Sequence, residues 1–207
     1  MSNKTIQQMP LVTSVTATDV IPIVQNNVTS KILASKFEEK TQILVSSFNY
    51  NDQPFTAPND VWQLVTYSSV DATGGGVTIK ANGQVEITEF GVYTARVRLT
   101  VARQGSAGDG GACVIGIQPV QGGTAIDGIT AVNLPNFASI NPIELNIKLN
   151  VTTVNNSNFQ VYILRDSAYS SGAGLTQGGL YNYDIGANGP GTSEPTTSAT
   201  ITISKVG

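Results

Sequence analysis

In two neighbouring stretches, residues 84–88 and 92–102, apolar residues occupy every second position, at Val85 and Ile87 and then at Tyr93, Ala95, Val97, Leu99 and Val101. Only an extended strand places alternate side chains on one face, so these stretches predict half-buried β-strands. Further strand-like runs follow the same rule at residues 61–67, 77–80, 113–120, 143–151, 159–164 and 199–206, separated by Gly, Pro and Asn. Segments of this length with turn residues between them predict an all-β antiparallel sandwich. Helices of ten or more residues between strands, the mark of a parallel sheet, are missing from the pattern.

The first forty residues read differently. Residues 20–25 and 28–33 form two short apolar runs around Asn26-Asn27, which tolerates the positive φ of a two-residue hairpin turn. Pro22 lacks an N–H and makes the first run an edge strand. Ser35 then opens a predicted helical turn over residues 35–40, with Glu38 at capping-box spacing, and residues 42–48 read as a strand leading out. The segment is too short for a core of its own. Ile21, Ile23, Val28, Ile32, Leu33 and Phe37 therefore need a surface to lie against. Residues 1–48 are expected to be an anchoring arm and residues 49–207 a sandwich domain. The alternative is that residues 1–40 add strands to the same domain.

Composition removes several classes of function. Lys and Arg number 11 against 14 Asp and Glu, scattered without a run. A net charge of -3 disfavours a nucleic-acid binder or an electrostatic membrane binder. The chain has no histidine, so zinc sites and triads built on imidazole are excluded. Cys113 stands alone, which excludes an intrachain disulfide and a stapled secreted module. The N-terminus is polar and no run approaches the roughly 18 apolar residues of a membrane span. Assembly in a cytoplasm, with no membrane insertion, is the expectation. Charged residues make up 12 % of the chain against roughly 25 % in an average domain, as in all-β proteins of large assemblies.

The loops offer few chemical signals. Gly105–Gly111 is glycine-rich, but a phosphate cradle needs a following helix and a lysine, and a strand follows here. Asp109 and Asp127 lie in glycine-flanked loops without calcium-loop spacing, so a metal there would be incidental. Cys113 lies in an apolar strand and reads as a small buried residue. No catalytic pair, cofactor site or metal site is expected. Asn27-Val28-Thr29 and Asn150-Val151-Thr152 match the glycosylation pattern by chance in an Asn- and Thr-rich chain. Residues 169–195 combine Tyr169, Tyr181 and Tyr183 with many Gly, Ser and Asn, the composition of adaptable recognition loops. Either they form an outer recognition loop or they cover the sandwich edge.

Two resemblances sharpen these expectations. Thr18-Asp19, Ile21-Pro22-Ile23-Val24, the Asn26-Asn27 turn and Lys31-Ile32 resemble the N-terminal module of many bacteriophage virion proteins. That resemblance adds Asp19, Pro22 and Lys31 to the anchor residues. Asn82-Gly83, the strand after it, Phe90-Gly91-Val92-Tyr93 and the final residues 199–207 resemble the tumour-necrosis-factor-like jelly roll of complement-type heads. It implies a homotrimer in which the Tyr93 ring packs inward at a Gly-x-Tyr corner. Together they imply a non-enzymatic phage virion protein: a capsid decoration (cement) or short head-fibre trimer, held to a major capsid or other virion protein by its arm. The alternative is a tail-fibre tip for host attachment that binds a surface glycan or receptor.

Overall fold

The computed structural model describes residues 20–25, 28–33, 42–105, 109–135, 139–182 and 197–206. The chain divides into two units, Met1–Lys40 with Gly207, and Thr41–Val206. In the first, β1 (Val20–Gln25) pairs antiparallel with β2 (Val28–Leu33). The predicted turn at residues 26–27 and helical turn at 35–40 lie outside the described residues.

The second unit is an antiparallel jelly-roll sandwich. Its strands are β3 (Gln42–Asn49), β4 (Gln53–Pro54), β5 (Gln63–Leu64), β6 (Ala72–Gly74), β7 (Val77–Ile79), β8 (Val85–Ile87) and β9 (Gly91–Ala102). There follow β10 (Cys113–Gln121), β11 (Thr124–Ala125), β12 (Thr130–Leu134), β13 (Ile140–Val151), β14 (Asn158–Arg165), β15 (Gly179–Leu180) and β16 (Ala199–Val206). One sheet has the order β3-β16-β9-β13, with β15 continuing the β16 side of β9 and carrying β4. The other runs β12-β10-β14-β8-β7-β6, with β11 and β5 extending its β12 and β8 positions. The pairs β3 with β16, β8 with β14, β9 with β13 and β10 with β12 are nested, as in one long antiparallel ribbon rolled onto itself. That nesting defines a jelly roll.

Between the sheets lies a core read directly from the alternation. Tyr93, Ala95, Val97, Leu99 and Val101 face Ile115, Ile117, Phe159, Val161 and Ile163 across it, all buried. The Tyr93 ring packs inward and its hydroxyl donates to the Glu89 carbonyl at 2.9 Å, as the Gly-x-Tyr corner implied. Gly83 closes the turn before β8 at φ +90°, its N–H donating to Lys80 O at 2.8 Å. Pro142 sits in β13, which among the described residues pairs with β9 alone. Thr100 opposite it donates to Ser198 O and accepts from Tyr181 N–H on its other side, so the missing N–H costs the ladder nothing.

Several boundaries differ from the sequence reading. Gln42–Asn49, read as the exit from the arm, is a sandwich strand paired along most of its length with β16. Residues 61–67 were expected as one strand, yet only Gln63–Leu64 make ladder pairs, with Val65 donating to Val161 O at 2.9 Å. β12 (Thr130–Leu134) went unread, although Val132 and Leu134 alternate within it.

Candidate interaction surfaces

The predicted anchor residues fall on the hairpin. The register sets Val20 opposite Leu33, Ile21 opposite Ile32, Pro22 opposite Lys31, Ile23 opposite Ser30 and Gln25 opposite Val28. Asp19 and Phe37 lie outside the described residues.

The outer face of the β3-β16-β9-β13 sheet is polar and ordered in cross-strand rows. One row reads Phe48, Thr200, Arg98, Glu144 and the next Ser46, Thr202, Arg96, Asn146. Glu144 is clamped by both arginines: Arg96 Nε and Nη2 donate to its two oxygens at 2.9 Å each, and Arg98 Nε to Oε2 at 2.7 Å. These bonds, from Arg96 first and Arg98 second, hold the carboxyl at about 2. Ser46 and Thr202 hydroxyls bond each other at 3.0 Å. Phe48 is half-exposed on this face.

At one edge the sandwich is open. Along β13 the inward residues Ile147, Leu149 and Val151 are buried, while Ile143 and Leu145 are only partly covered. Facing Leu145 and Ile147, Asp127–Thr130 form the other wall of a cleft of about 390 Å³ that includes the exposed Ile129. A neighbouring molecule seated here would complete burial that the single chain leaves unfinished.

The glycine-rich loop does the reverse of cradling an anion. Arg103 is fully buried and donates to the carbonyls of Gly111, Gly110 (3.2 Å) and Asp109 (3.4 Å), and to Gln177 Oε1 at 2.6 Å. Gln177 in turn donates to Asp109 Oδ2 at 2.6 Å. The loop thus presents carbonyl oxygens to a cation that the chain itself supplies. Cys113 lies beneath, its thiol donating to Gln177 O at 3.3 Å. Burial pushes that thiol up to about 11 against the opposing pull of Arg165 and Arg103, so it stays protonated at neutral pH. Among the described residues no three His, Cys, Asp or Glu side chains converge as metal ligands.

The tyrosines expected to form an outer loop do not act together. Tyr169 is 72 % exposed, whereas Tyr181 is only 7 % exposed. Gly179–Leu180 pair with both β9 and β4, and Tyr181 continues that pairing by donating its N–H to Thr100 O at 3.0 Å. That pins the residue within the sheet, and its hydroxyl lies 3.4 Å from Gly178 O. Tyr181 is therefore corrected from a recognition residue to a packing residue. Tyr183 lies outside the described residues.

No family model matches the chain, and no curated protein matches it. Among solved structures it is similar to the vertex protein P5 of PRD1, at 16 % identity and a TM-score of 0.40 over 81 % of this chain and 98 % of that one. It is also similar to the Eiger TNF of S. frugiperda, at 11 % identity and a TM-score of 0.36 over 80 % and 93 % of the two chains. The VP2 subviral particle of infectious bursal disease virus aligns at 14 % identity and a TM-score of 0.34, over 94 % of this chain and 48 % of that one. The jelly-roll assignment rests on this chain's own strand order.

Proposed function

We propose that this protein is a structural component of a bacteriophage particle: a homotrimeric jelly roll that decorates the capsid or forms a short head fibre, attached through its N-terminal hairpin. The observation that carries the reading is the division of the chain into a hairpin unit and a sandwich with a hydrophobic core of its own. A two-stranded hairpin is marginal alone in water, so it calls for a partner surface. The phage-module pattern around Ile21-Pro22-Ile23-Val24 points to a virion protein as that partner, the major capsid protein first. The open edge beside Ile143 and Leu145 supports packing against neighbouring copies. Three arms per assembly would then bind together, so that weak contacts sum to firm attachment.

The test is made on the full chain. Ile23→Asp with Ile32→Asp should abolish association with particles lacking the protein, while the sedimentation mass stays three times the 21.7 kDa of one chain. Unchanged particle association would refute the anchor, and a single-chain mass in the wild type would refute the trimer. Reconstruction of intact particles separates head from tail: density at capsid positions supports decoration, and density only at the tail supports the receptor-binding alternative. That alternative is the weaker reading, because of its three tyrosines only Tyr169 is an exposed one among the described residues.

A further inference from the structure

We infer that the outer face of the β10–β14 sheet carries a binding site for a neutral sugar ring, built on Trp62 and Tyr162 and bordered by Gln118 and Gln160. This site does not depend on where a particle carries the protein, nor on the tyrosine-rich segment.

Strand alternation creates it. Ile115, Ile117, Val161 and Ile163 point into the core, so Gly116, Gln118 and Val120 of β10 and Gln160, Tyr162 and Leu164 of β14 point outward. The register sets Gly116 beside Leu164, Gln118 beside Tyr162 and Val120 beside Gln160. Leu64 of β5 stands opposite Tyr162, and Trp62 precedes it. A side chain at Gly116 would begin 3.2 Å from Ile129 Cγ2, 3.5 Å from Leu164 Cγ and 3.7 Å from Trp62 Cη2. These three groups close over the glycine, so the indole edge rests on the sheet where a side chain would otherwise stand. Trp62 nevertheless remains 37 % exposed. Beside it lies a depression of about 340 Å³ lined by Trp62, Gln118, Val120, Gly123, Gln160 and Tyr162.

The lining selects the ligand by chemistry. Aromatic rings offer a broad apolar face at low conformational cost, which suits the C–H face of a pyranose. Carboxamides donate and accept at once, which suits hydroxyls. Gln118 Nε2 donates to Asp127 O at 2.6 Å, which fixes the side chain and leaves Oε1 as an acceptor. Among the described residues, the Gln160 amide and the Tyr162 hydroxyl have no hydrogen-bond partner. None of the six lining residues is an acid or a cation, so an acidic sugar, a nucleotide or a phosphate would find no counter-charge. A peptide strand is disfavoured as well: β10 is paired on both sides by β12 and β14, and β14 by β10, β5 and β8, so no free ladder edge is offered.

Trp62 is the single tryptophan of the chain, so emission excited at the red edge, where the seven tyrosines do not absorb, reports on this site alone. The full-length protein is titrated with neutral hexose and N-acetylhexosamine oligosaccharides and, in parallel, with sialylated and uronate-containing ones. Saturable quenching or a blue shift with a neutral sugar is expected, with a dissociation constant on the order of 1 mM, as for a shallow single site. Calorimetry on two variants then locates the site. Trp62→Ala should abolish binding, and Gln160→Ala, a surface change that leaves the core intact, should weaken it about tenfold, the effect of losing a hydrogen bond worth about 1.4 kcal/mol. No response to any neutral sugar at its solubility limit would overturn the inference. So would binding of acidic sugars alone, or an affinity unchanged in Gln160→Ala. Particle attachment should be the same in both variants, so failure here leaves the anchoring proposal separately testable.

Discussion

Tyr67 presents an uncommon situation: its side chain is fully buried, and its hydroxyl has no hydrogen-bond partner among the described residues. A buried donor left unsatisfied costs about 1–3 kcal/mol of desolvation. Tyr67→Phe removes that penalty and keeps the ring in place. The vacated oxygen leaves a void of roughly 10 Å³, which at about 24 cal/mol per Å³ returns only about 0.2 kcal/mol. The net expectation is a gain of about 0.8–2.8 kcal/mol, or a rise in Tm of about 2–11 °C for a chain of this size. Tyr93→Phe is the internal control. Its ring is equally buried but its hydroxyl donates to Glu89 O at 2.9 Å, so the same chemical change should cost about 0.5–1.5 kcal/mol. The pH dependence carries a second signature. Burial pushes the Tyr67 hydroxyl well above its ordinary value, so the unfolded chain releases this proton first. Wild-type stability therefore falls as pH rises beyond about 10, and Tyr67→Phe removes that component of the loss. The assay is equilibrium denaturation of the three proteins at one protein concentration, with m-values compared. Destabilisation of Tyr67→Phe to the same extent as Tyr93→Phe would refute the argument, since it would mean that the hydroxyl has a partner in solution.

Gly83→Ala should destabilise by about 1–3 kcal/mol in the same assay, because φ is +90° and the new methyl would be driven into the Val65 carbonyl; a neutral effect would show that the turn can re-form. Glu144 should titrate near 2 by carbon-detected NMR rather than near its ordinary 4.5. Because the folded value is the lower one, its contribution is full above about 4.5 and is lost as pH falls towards 2, and Glu144→Gln should flatten that limb. A midpoint close to 4.5 would show that the Arg96–Arg98 clamp is open in solution.

Much of the sandwich was legible because strand alternation is a local signal. The residues that alternate in 92–102 are the ones that β9 buries, and the Asn-Gly and Gly-x-Tyr features lie at the turn before β8 and at the start of β9. The short β15 escaped notice for the same reason: it gains its identity from what it pairs with. The tyrosine-rich segment misled because composition records which side chains a loop contains, and not which of them the sheet claims. Arg103 reads as one more charge at a strand end, yet the folded loop surrounds it with carbonyls. The Trp62 site left no trace in sequence, since Trp62, Gln118 and Gln160 lie on three separate strands or their approaches, and cross-strand register alone makes them neighbours.

By itself, then, the sequence determined the class of structure and the inward face of its longer strands, because a period of two needs only neighbouring residues to express it. Its charge balance and lack of histidine likewise set the chemistry open to the chain. The tertiary structure alone decided which distant side chains meet: the Glu144 clamp, the half-covered edge of β13 and the aromatic depression on β14. Each depends on strands distant in sequence coming together in one register, and a shift of one residue would turn every one of those groups to the opposite face.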